Sequence, residues 1–305
     1  MAQAAQVDYY HERLLDAIEK AKQVLAIPLD ELKLANECDA RYIYCMSSHG
    51  IGEPPGQQEL TSFITVSERL GNRLWLHFAL WQLEYTARFR GDWAAARQFG
   101  QQGMAVAPGG PTLLSTVQQT EAETGEFDRA EELLQVLMTP MVENPVNPTF
   151  HYSAAVMVTG QNSWIAGVPR EPALPHRYTD FVLSSPFAIP LFASVTDIGR
   201  ALDAPTTGNL DTCQSAYKAL ERLRGQFISV MAIDRLLGHL PLATGNVPRT
   251  VGHFDDSLAF CAKAGFRPDT AWTCWGLAAA LLERTGDGDR RRAEELLEER
   301  APDRD

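Results

Sequence analysis

An all-α fold, a single right-handed α-solenoid of degenerate antiparallel helix pairs, is predicted by two observations on the 305-residue sequence. Apolar residues recur three and four apart along most of the chain, the period of a helix with one buried face. Glycine-centred breaks recur at intervals that suit one helix or a helix pair, and one of these intervals repeats in register. With 45% apolar residues the chain can bury a large core. It is nevertheless longer than a single compact core usually grows, which favours an elongated stack. One domain spanning residues 1–305 is expected.

The first helical segment is Tyr10–Leu25, where Leu14, Leu15, Ala17, Ile18, Ala21, Val24 and Leu25 form a stripe that needs a partner helix. Pro28 ends it, and Leu29–Met46 resumes the pattern until SSHGIGEPPGQQ breaks the chain. Punctuation then recurs at Gly71-Asn72, Gly91-Asp92, Pro108-Gly109-Gly110, Gly125-Glu126, Pro145, Gly208-Asn209, Gly245-Asn246 and Gly286-Asp287. GDWAAARQF at Gly91–Phe99 and GEFDRAEEL at Gly125–Leu133 superpose without a gap. Gly91 and Gly125, Trp93 and Phe127, and Ala96 and Ala130 are each 34 residues apart. The glycine permits a left-handed turn, the alanine a close helix approach, and the aromatic is expected to fill the wedge between paired helices. Spacing drifts to 37 between Gly208 and Gly245 and to 41 between Gly245 and Gly286, so helix lengths are expected to be irregular. The segment 161–190 holds Pro169, Pro172, Pro175, Pro186 and Pro190 and reads as an irregular connection, with a short helix at Arg177–Leu183.

These features resemble the tetratricopeptide repeat, whose pattern is W-x2-L-G-x2-Y on the first helix and A-x3-F followed by P on the second. Leu80, Leu83, Ala96 and Pro108 sit at pattern positions, while Glu84 replaces the packing glycine and Gly100 the phenylalanine. A second copy has Leu237-Gly238, Gly245 and Phe254, with Pro241 and Thr250 as departures; a third has Trp275, Ala279, Gly286 and Ala293, with an insertion at Gly288-Asp289. Gly208-Asn209-Leu210 with Cys213 and Tyr217 begins a further second helix. HFDDSLAFCAKAGFRPDTAWTCWGLAAALLERTGDGDRRRAEELLEE, His253–Glu299, is in turn similar to the helical-repeat region of large bacterial regulators. Those proteins join a MalT-type ATPase, and often a LuxR-type helix-turn-helix or a nucleotidyl cyclase, to a long repeat array. GDWAAARQF and SVMAIDRLLGHL (Ser229–Leu240) resemble other parts of that region. The resemblance implies a non-catalytic scaffold for protein interaction or sensing in a bacterial signalling or transcription-regulatory system. The chain holds no GxxxxGK[ST] loop, no recognisable cyclase metal motif and no basic helix-turn-helix after Glu299. It therefore reads as a stand-alone array or as an orphan fragment of a larger regulator.

The formal charge of −12, unrelieved by any basic tract, argues against direct nucleic-acid binding. Arg290-Arg291-Arg292 is flanked by Asp289 and Glu294-Glu295 and reads as the solvated face of a helix. Five cysteines without a CxxC pair suggest buried, reduced thiols. The N-terminal residues, with Asp8 and Glu12, do not form a signal peptide, and no stretch approaches a membrane span, so a cytoplasmic protein with no membrane partner is expected.

No catalytic, cofactor-binding or metal-ligating set emerges, and no cofactor is expected. The GxG of SSHGIGEPPG lacks a preceding strand and a following lysine. The seven histidines form no HExxH and no i, i+4 pair, Cys261 and Cys274 lie in apolar helical settings despite the proximity of His253 in sequence, and adjacent acids such as Asp255-Asp256 diverge on a helix.

The candidate partner-binding groove is Trp81, Tyr85 and Arg88, which share one side of the first helix of the Gly91 repeat, with Arg235 and His239 on the corresponding side of a later helix. An aromatic and arginine cluster of this kind suits a protein or peptide partner of unknown identity. The competing reading packs Trp81 and Tyr85 against the neighbouring repeat. The terminal apolar face of Leu296-Leu297 has no obvious cap and is a candidate for self-association. A rival function, small-molecule sensing, requires an enclosed apolar pocket, expected near Gly167–Pro190.

Overall fold

The computed structural model describes residues 1–28, 33–143, 150–167, 173–186 and 188–298, with backbone alone described at 140–143, 150 and 173–177. Pro145, Pro169, Pro172 and the ERAPDRD end lie outside the described residues. The fold is all-α. Among the described residues there are sixteen α-helices and one two-stranded hairpin. The helices are α1 (Ala2–Tyr10), α2 (Leu14–Leu25), α3 (Leu34–Gly50), α4 (Gln57–Leu70), α5 (Arg73–Arg90), α6 (Trp93–Val106), α7 (Pro111–Glu123) and α8 (Phe127–Glu143) in the first half. The second half contains α9 (Phe150–Ala166), α10 (Ala173–Leu183), α11 (Pro190–Thr207), α12 (Leu210–Leu220), α13 (Ile233–Ala243), α14 (Val247–Ala264), α15 (Arg267–Arg284) and α16 (Asp289–Glu298). Between α12 and α13 the chain forms β1 (Phe227–Ile228) and β2 (Met231–Ala232), paired antiparallel with Phe227 opposite Ala232. Among the described residues no helix is long and apolar enough to cross a membrane.

Each helix packs on its neighbour in sequence, and the odd-numbered helices also pack on one another from α1 through α15. This makes an inner layer of odd helices backed by even ones. The register seen between residues 91 and 133 has a backbone cause. Gly91 and Gly125 adopt φ of 74° and 87°, the left-handed region that a side chain disfavours. Behind them Asp92 N–H donates to Ala87 O at 2.9 Å and Glu126 N–H to Glu121 O at 2.8 Å, so the two helices end alike. Ala96 and Ala130 are both buried, as the pattern requires, whereas Phe127 is 42% exposed and does not fill the wedge. In the last pair the packing positions are also shifted from those expected: Gly276 and Ala280 face the core, while Trp275 and Ala279 are exposed. Phe254 fills its expected place. A Cβ on Gly238 or Gly276 would stand 2.8 or 2.7 Å from its ring, so both glycines make room for it.

The layer does not remain open. Arg222 pairs with Glu12, and Lys263 with Glu53 at 3.2 Å, joining residues 210 positions apart. Phe89 of α5 meets Phe227 of the hairpin and Phe266 before α15, with centroids 4.4 and 5.1 Å apart. The inner layer thus folds back on itself, with α1 packing on α11 and α15 on α5, and with the hairpin between α3 on one side and α13 and α14 on the other.

The tightest helix crossing joins α9 and α11, where a Cβ on Gly160 would lie 2.2 Å from Gly199 O. Backbone has no way to yield there. Gly160→Ala is expected to lower stability by more than about 2 kcal/mol, whereas Gly252→Ala, on the exposed face of α14 with nothing near its Cβ, is expected to raise it by about 0.5–1 kcal/mol. Urea unfolding of the two variants beside the parent checks the contrast.

Candidate functional site: an aromatic chamber beneath the hairpin

Closure of the inner layer leaves a cavity of about 410 Å³ between α1, α3, α5, α7, α9 and α11. Its apolar wall is a run of rings. Tyr42 stands within 5.2 Å of Phe78 and 6.1 Å of Trp81, Trp81 within 5.5 Å of Tyr85, and Tyr9 within 6.1 Å of Tyr42. Helical spacing explains the assembly: Phe78, Trp81 and Tyr85 follow one another three and four apart on α5, so one face of that helix presents all three. Burial pushes the Tyr9 and Tyr42 phenols well above their ordinary range, and also raises Tyr85. All three are therefore neutral hydroxyls at physiological pH.

The polar groups of the chamber come chiefly from α7. Ser115 and Gln119 are one turn apart and both line it, together with Thr112 and Thr116. Ser115 and Thr116 direct their hydroxyls to carbonyls of their own helix, Thr112 O and Leu113 O. His77 Nε2 is 3.0 Å from Thr112 Oγ1, and burial lowers the imidazole's affinity for a proton. Burial likewise lowers the proton affinity of His151. Among the described residues no aspartate, glutamate, lysine or arginine lines the cavity. Among the described residues, three lining residues hold buried side-chain atoms without a hydrogen-bond partner: Gln119, 1% exposed, at both Nε2 and Oε1, Trp81, 4% exposed, at Nε1–H, and His77 at Nδ1.

The chamber's floor is the hairpin turn. Ser229 has φ of 55°, a conformation that costs an L-residue about 1–2 kcal/mol. Its carbonyl accepts from Tyr85 Oη at 2.7 Å and from Arg88 Nη2 at 3.3 Å, which offsets that strain. Arg88 is 1% exposed. Its guanidinium lies over the Phe89 ring at 4.6 Å and pairs with Glu123 of α7 at 3.3 Å. Beyond it Arg235 pairs with Asp269 at 2.9 Å, and Asp269 accepts from the Ala232 amide and the Cys261 thiol. Burial and that carboxylate raise the Cys261 thiol above its ordinary range. Among the described residues none of the five cysteines is in a disulfide, and all five are buried.

The five residues expected to line a groove are thus divided. Trp81 and Tyr85 line the chamber. Arg88 and Arg235 are internal, in the buried ion pairs behind the hairpin, and His239 is enclosed between Trp164 and Phe254, its protonation suppressed by burial and by Arg235. None of them faces an open surface, because the closed inner layer leaves no open concave groove at these positions. Of the segment Gly167–Pro190, Thr179, Asp180 and Leu183 line a separate pocket of about 320 Å³ against α9 and α11, one with polar as well as apolar walls, while the aromatic chamber is centred on α5 and α7.

A cluster the sequence did not suggest lies on the far side of α13. His253 Nε2 meets Tyr217 Oη at 2.7 Å and its Nδ1 meets Asp234 Oδ1 at 3.1 Å. Asp234, His253 and Asp256 present ligand-type atoms within 4.8 Å of one another. Arg224 bridges the two carboxylates at 3.3 and 2.7 Å and supplies the positive charge such a group would otherwise seek.

Glu84, at the position where the repeat pattern has glycine, is fully buried beside Arg88, with Thr120 donating to it at 3.0 Å. Burial raises its carboxyl to about 7, against the opposing pull of Arg88 and the Thr116 and Thr120 hydroxyls, with Glu123 adding to the rise. The folded protein therefore holds a proton there that the unfolded chain releases near pH 4.5. This contribution to stability is present below that pH and is lost as the pH rises toward 7. Glu84→Gln is expected to abolish the loss and to be more stable than the parent at pH 8, on the order of 3 kcal/mol at most, with the difference shrinking toward pH 5. Urea unfolding of both proteins from pH 5 to 8 measures it. No family model matches the sequence and no curated protein is significantly similar to it, so the functional reading rests on this geometry.

Proposed function

We propose that the chain is a non-catalytic sensory scaffold that binds a small, uncharged, largely apolar effector in the aromatic chamber. The observation that carries this reading is the chamber itself: about 410 Å³, walled by aromatic rings and free of fixed charge. That volume lies within the usual range for small-molecule sites, which are mainly apolar with a few placed polar groups. The helix pairs are read as a right-handed, degenerate tetratricopeptide-like solenoid bent until its ends meet, a geometry that turns the concave face into an interior. The sequence resemblance favours a cytoplasmic bacterial signalling or transcription-control pathway, in which occupancy would be transmitted to a protein partner bound on the outer surface. Such a partner would not dock through Arg88, Arg235 or His239, which are interior.

The chamber's neutrality separates this reading from anion and metabolite-phosphate sensors, since a charge moved into an apolar cavity without a counter-charge is strongly penalised. The test is a thermal-shift and calorimetric screen of uncharged aromatic compounds against matched carboxylates and amines. Ser115→Trp, which projects an indole into the chamber, serves as the control. Uncharged members are expected to bind and to stabilise the parent by about 2.7 kcal/mol at a hundred times Kd, and the variant is expected to lose the response. Binding that ignores Ser115→Trp, or no binding by any uncharged member, would refute the reading.

A further inference from the structure

The charges buried behind the hairpin do not balance. Arg88 and Arg235 are withdrawn from solvent together with three carboxyls, Glu84, Glu123 and Asp269. Arg88 is taken by Glu123 at 3.3 Å and Arg235 by Asp269 at 2.9 Å. Glu84 is the carboxyl left over, and among the described residues it forms no ion pair of its own. We infer that Glu84 is a proton-operated latch on the chamber floor. With its proton in place Arg88 is free to hold Ser229 O, and with the proton gone Glu84 competes for the guanidinium and the hairpin is held less firmly. The effect on a ligand rests on the chamber being a ligand site; the latch itself does not.

Helix geometry makes the competition direct. Glu84 and Arg88 are four residues apart on α5 and so share one face at neighbouring turns. Arg88 reaches a charged acceptor, Glu123, and a neutral one, Ser229 O, at 3.3 Å each. Hydrogen bonds to an ionised acceptor are roughly twice as strong as those between neutral groups, so the Ser229 contact is the one that yields to a second carboxylate. Ser229 depends on that contact, because its φ of 55° is offset only by Arg88 and by Tyr85 Oη.

The surroundings of Glu84 leave Arg88 as its nearest source of positive charge. From α7 come Glu123, which opposes its ionisation, and the Thr116 and Thr120 hydroxyls, Thr120 donating at 3.0 Å. From α6 comes Gly100, where a Cβ would lie 3.8 Å from Glu84 Cγ. On α3, His49 meets Thr86 at 3.0 Å, and burial lowers its imidazole to about 4, so it brings no charge. Arg235 of α13 and Asp269 of α15 lie beyond Glu123 and act on it. Burial holds the Glu84 proton up to about pH 7. The latch is thus closed below that pH and open above it. The groups that line the chamber move away from this window, the imidazoles of His77 and His151 downward and the phenols of Tyr9, Tyr42 and Tyr85 upward.

Two measurements on the intact chain, each at a series of pH values from 6 to 8.5, decide the matter. The carbonyl 13C signal of selectively labelled Ser229 reports the hydrogen bonds that this oxygen accepts, whether or not a ligand binds. Tryptophan fluorescence follows the binding of naphthalene, a probe with no titrating group. The Ser229 signal is expected to titrate with a midpoint of about 7. Naphthalene is expected to bind at least about fivefold more weakly at pH 8.5 than at pH 6, and Glu84→Gln, which keeps the shape of the protonated side chain, to flatten both profiles. A Ser229 signal that does not titrate in the parent, or a titration that survives Glu84→Gln, would overturn the latch and leave the chamber reading standing. A constant naphthalene affinity beside a titrating carbonyl would overturn control of the chamber by Glu84. A titrating carbonyl with no naphthalene binding at any pH would retain the latch and count against the chamber as a ligand site.

Discussion

The guanidinium of Arg88 is the point on which the rest of the architecture depends. It is buried in α5, lies over Phe89, and reaches Glu123 on α7 and Ser229 O on the hairpin. A charge in that position is tolerated because α7 supplies its counter-charge and the hairpin an acceptor, with the Phe89 ring beneath it; removal of Glu123 would leave the charge uncompensated in a dry setting. Glu123 in turn accepts from Gln161 of α9. One side chain therefore ties three inner helices to a hairpin more than 140 residues away in sequence, and holds Ser229 of that hairpin where it lines the chamber.

Helix existence was readable in the sequence and closure was not. The 34-residue phase between Gly91 and Gly125 reports backbone geometry local to each turn, and local geometry is what periodicity encodes. Ala96, Ala130, Gly238 and Phe254 behave as their pattern positions suggest because each answers a packing need between adjacent helices. Trp275 and Phe127 do not, since an aromatic at a pattern position is compatible with either face of a surface helix. The short break at His11–Arg13 separating α1 from α2 has no glycine or proline to mark it, and Glu12 takes φ of 64° there. The hairpin was hidden for another reason. Its strands are two residues each, too short for alternation to register, and the visible trace was the stretch of the repeat interval to 37 between Gly208 and Gly245.

The candidate site was half legible. Trp81 and Tyr85 share a helix face, and that much follows from spacing. Whether the face meets solvent, a neighbouring repeat or an enclosed space depends on contacts between α5 and distant segments, which no local pattern contains. Glu84 and Gln119 carry the missing signal. A carboxyl at a position that ordinarily takes glycine, and a carboxamide in the run LSTVQQTEA on a helix otherwise buried, are departures that an interior polar network or cavity explains better than a solvent-facing helix does.

Because the two halves of the inner layer meet through residues 12 with 222, 53 with 263, and 85 and 88 with 229, the molecule departs from the thermodynamics of an open repeat array. In an open array stability is a sum over neighbours, and unfolding spreads from either end one unit at a time. Joining the ends couples distant units, raises the sequence separation of the decisive contacts and makes assembly a late event. During synthesis the rings of α1, α3 and α5 are in place long before residue 229 leaves the ribosome. Until the hairpin arrives they form an exposed aromatic surface, and it is the arrival of four short-strand residues that turns that surface into an interior.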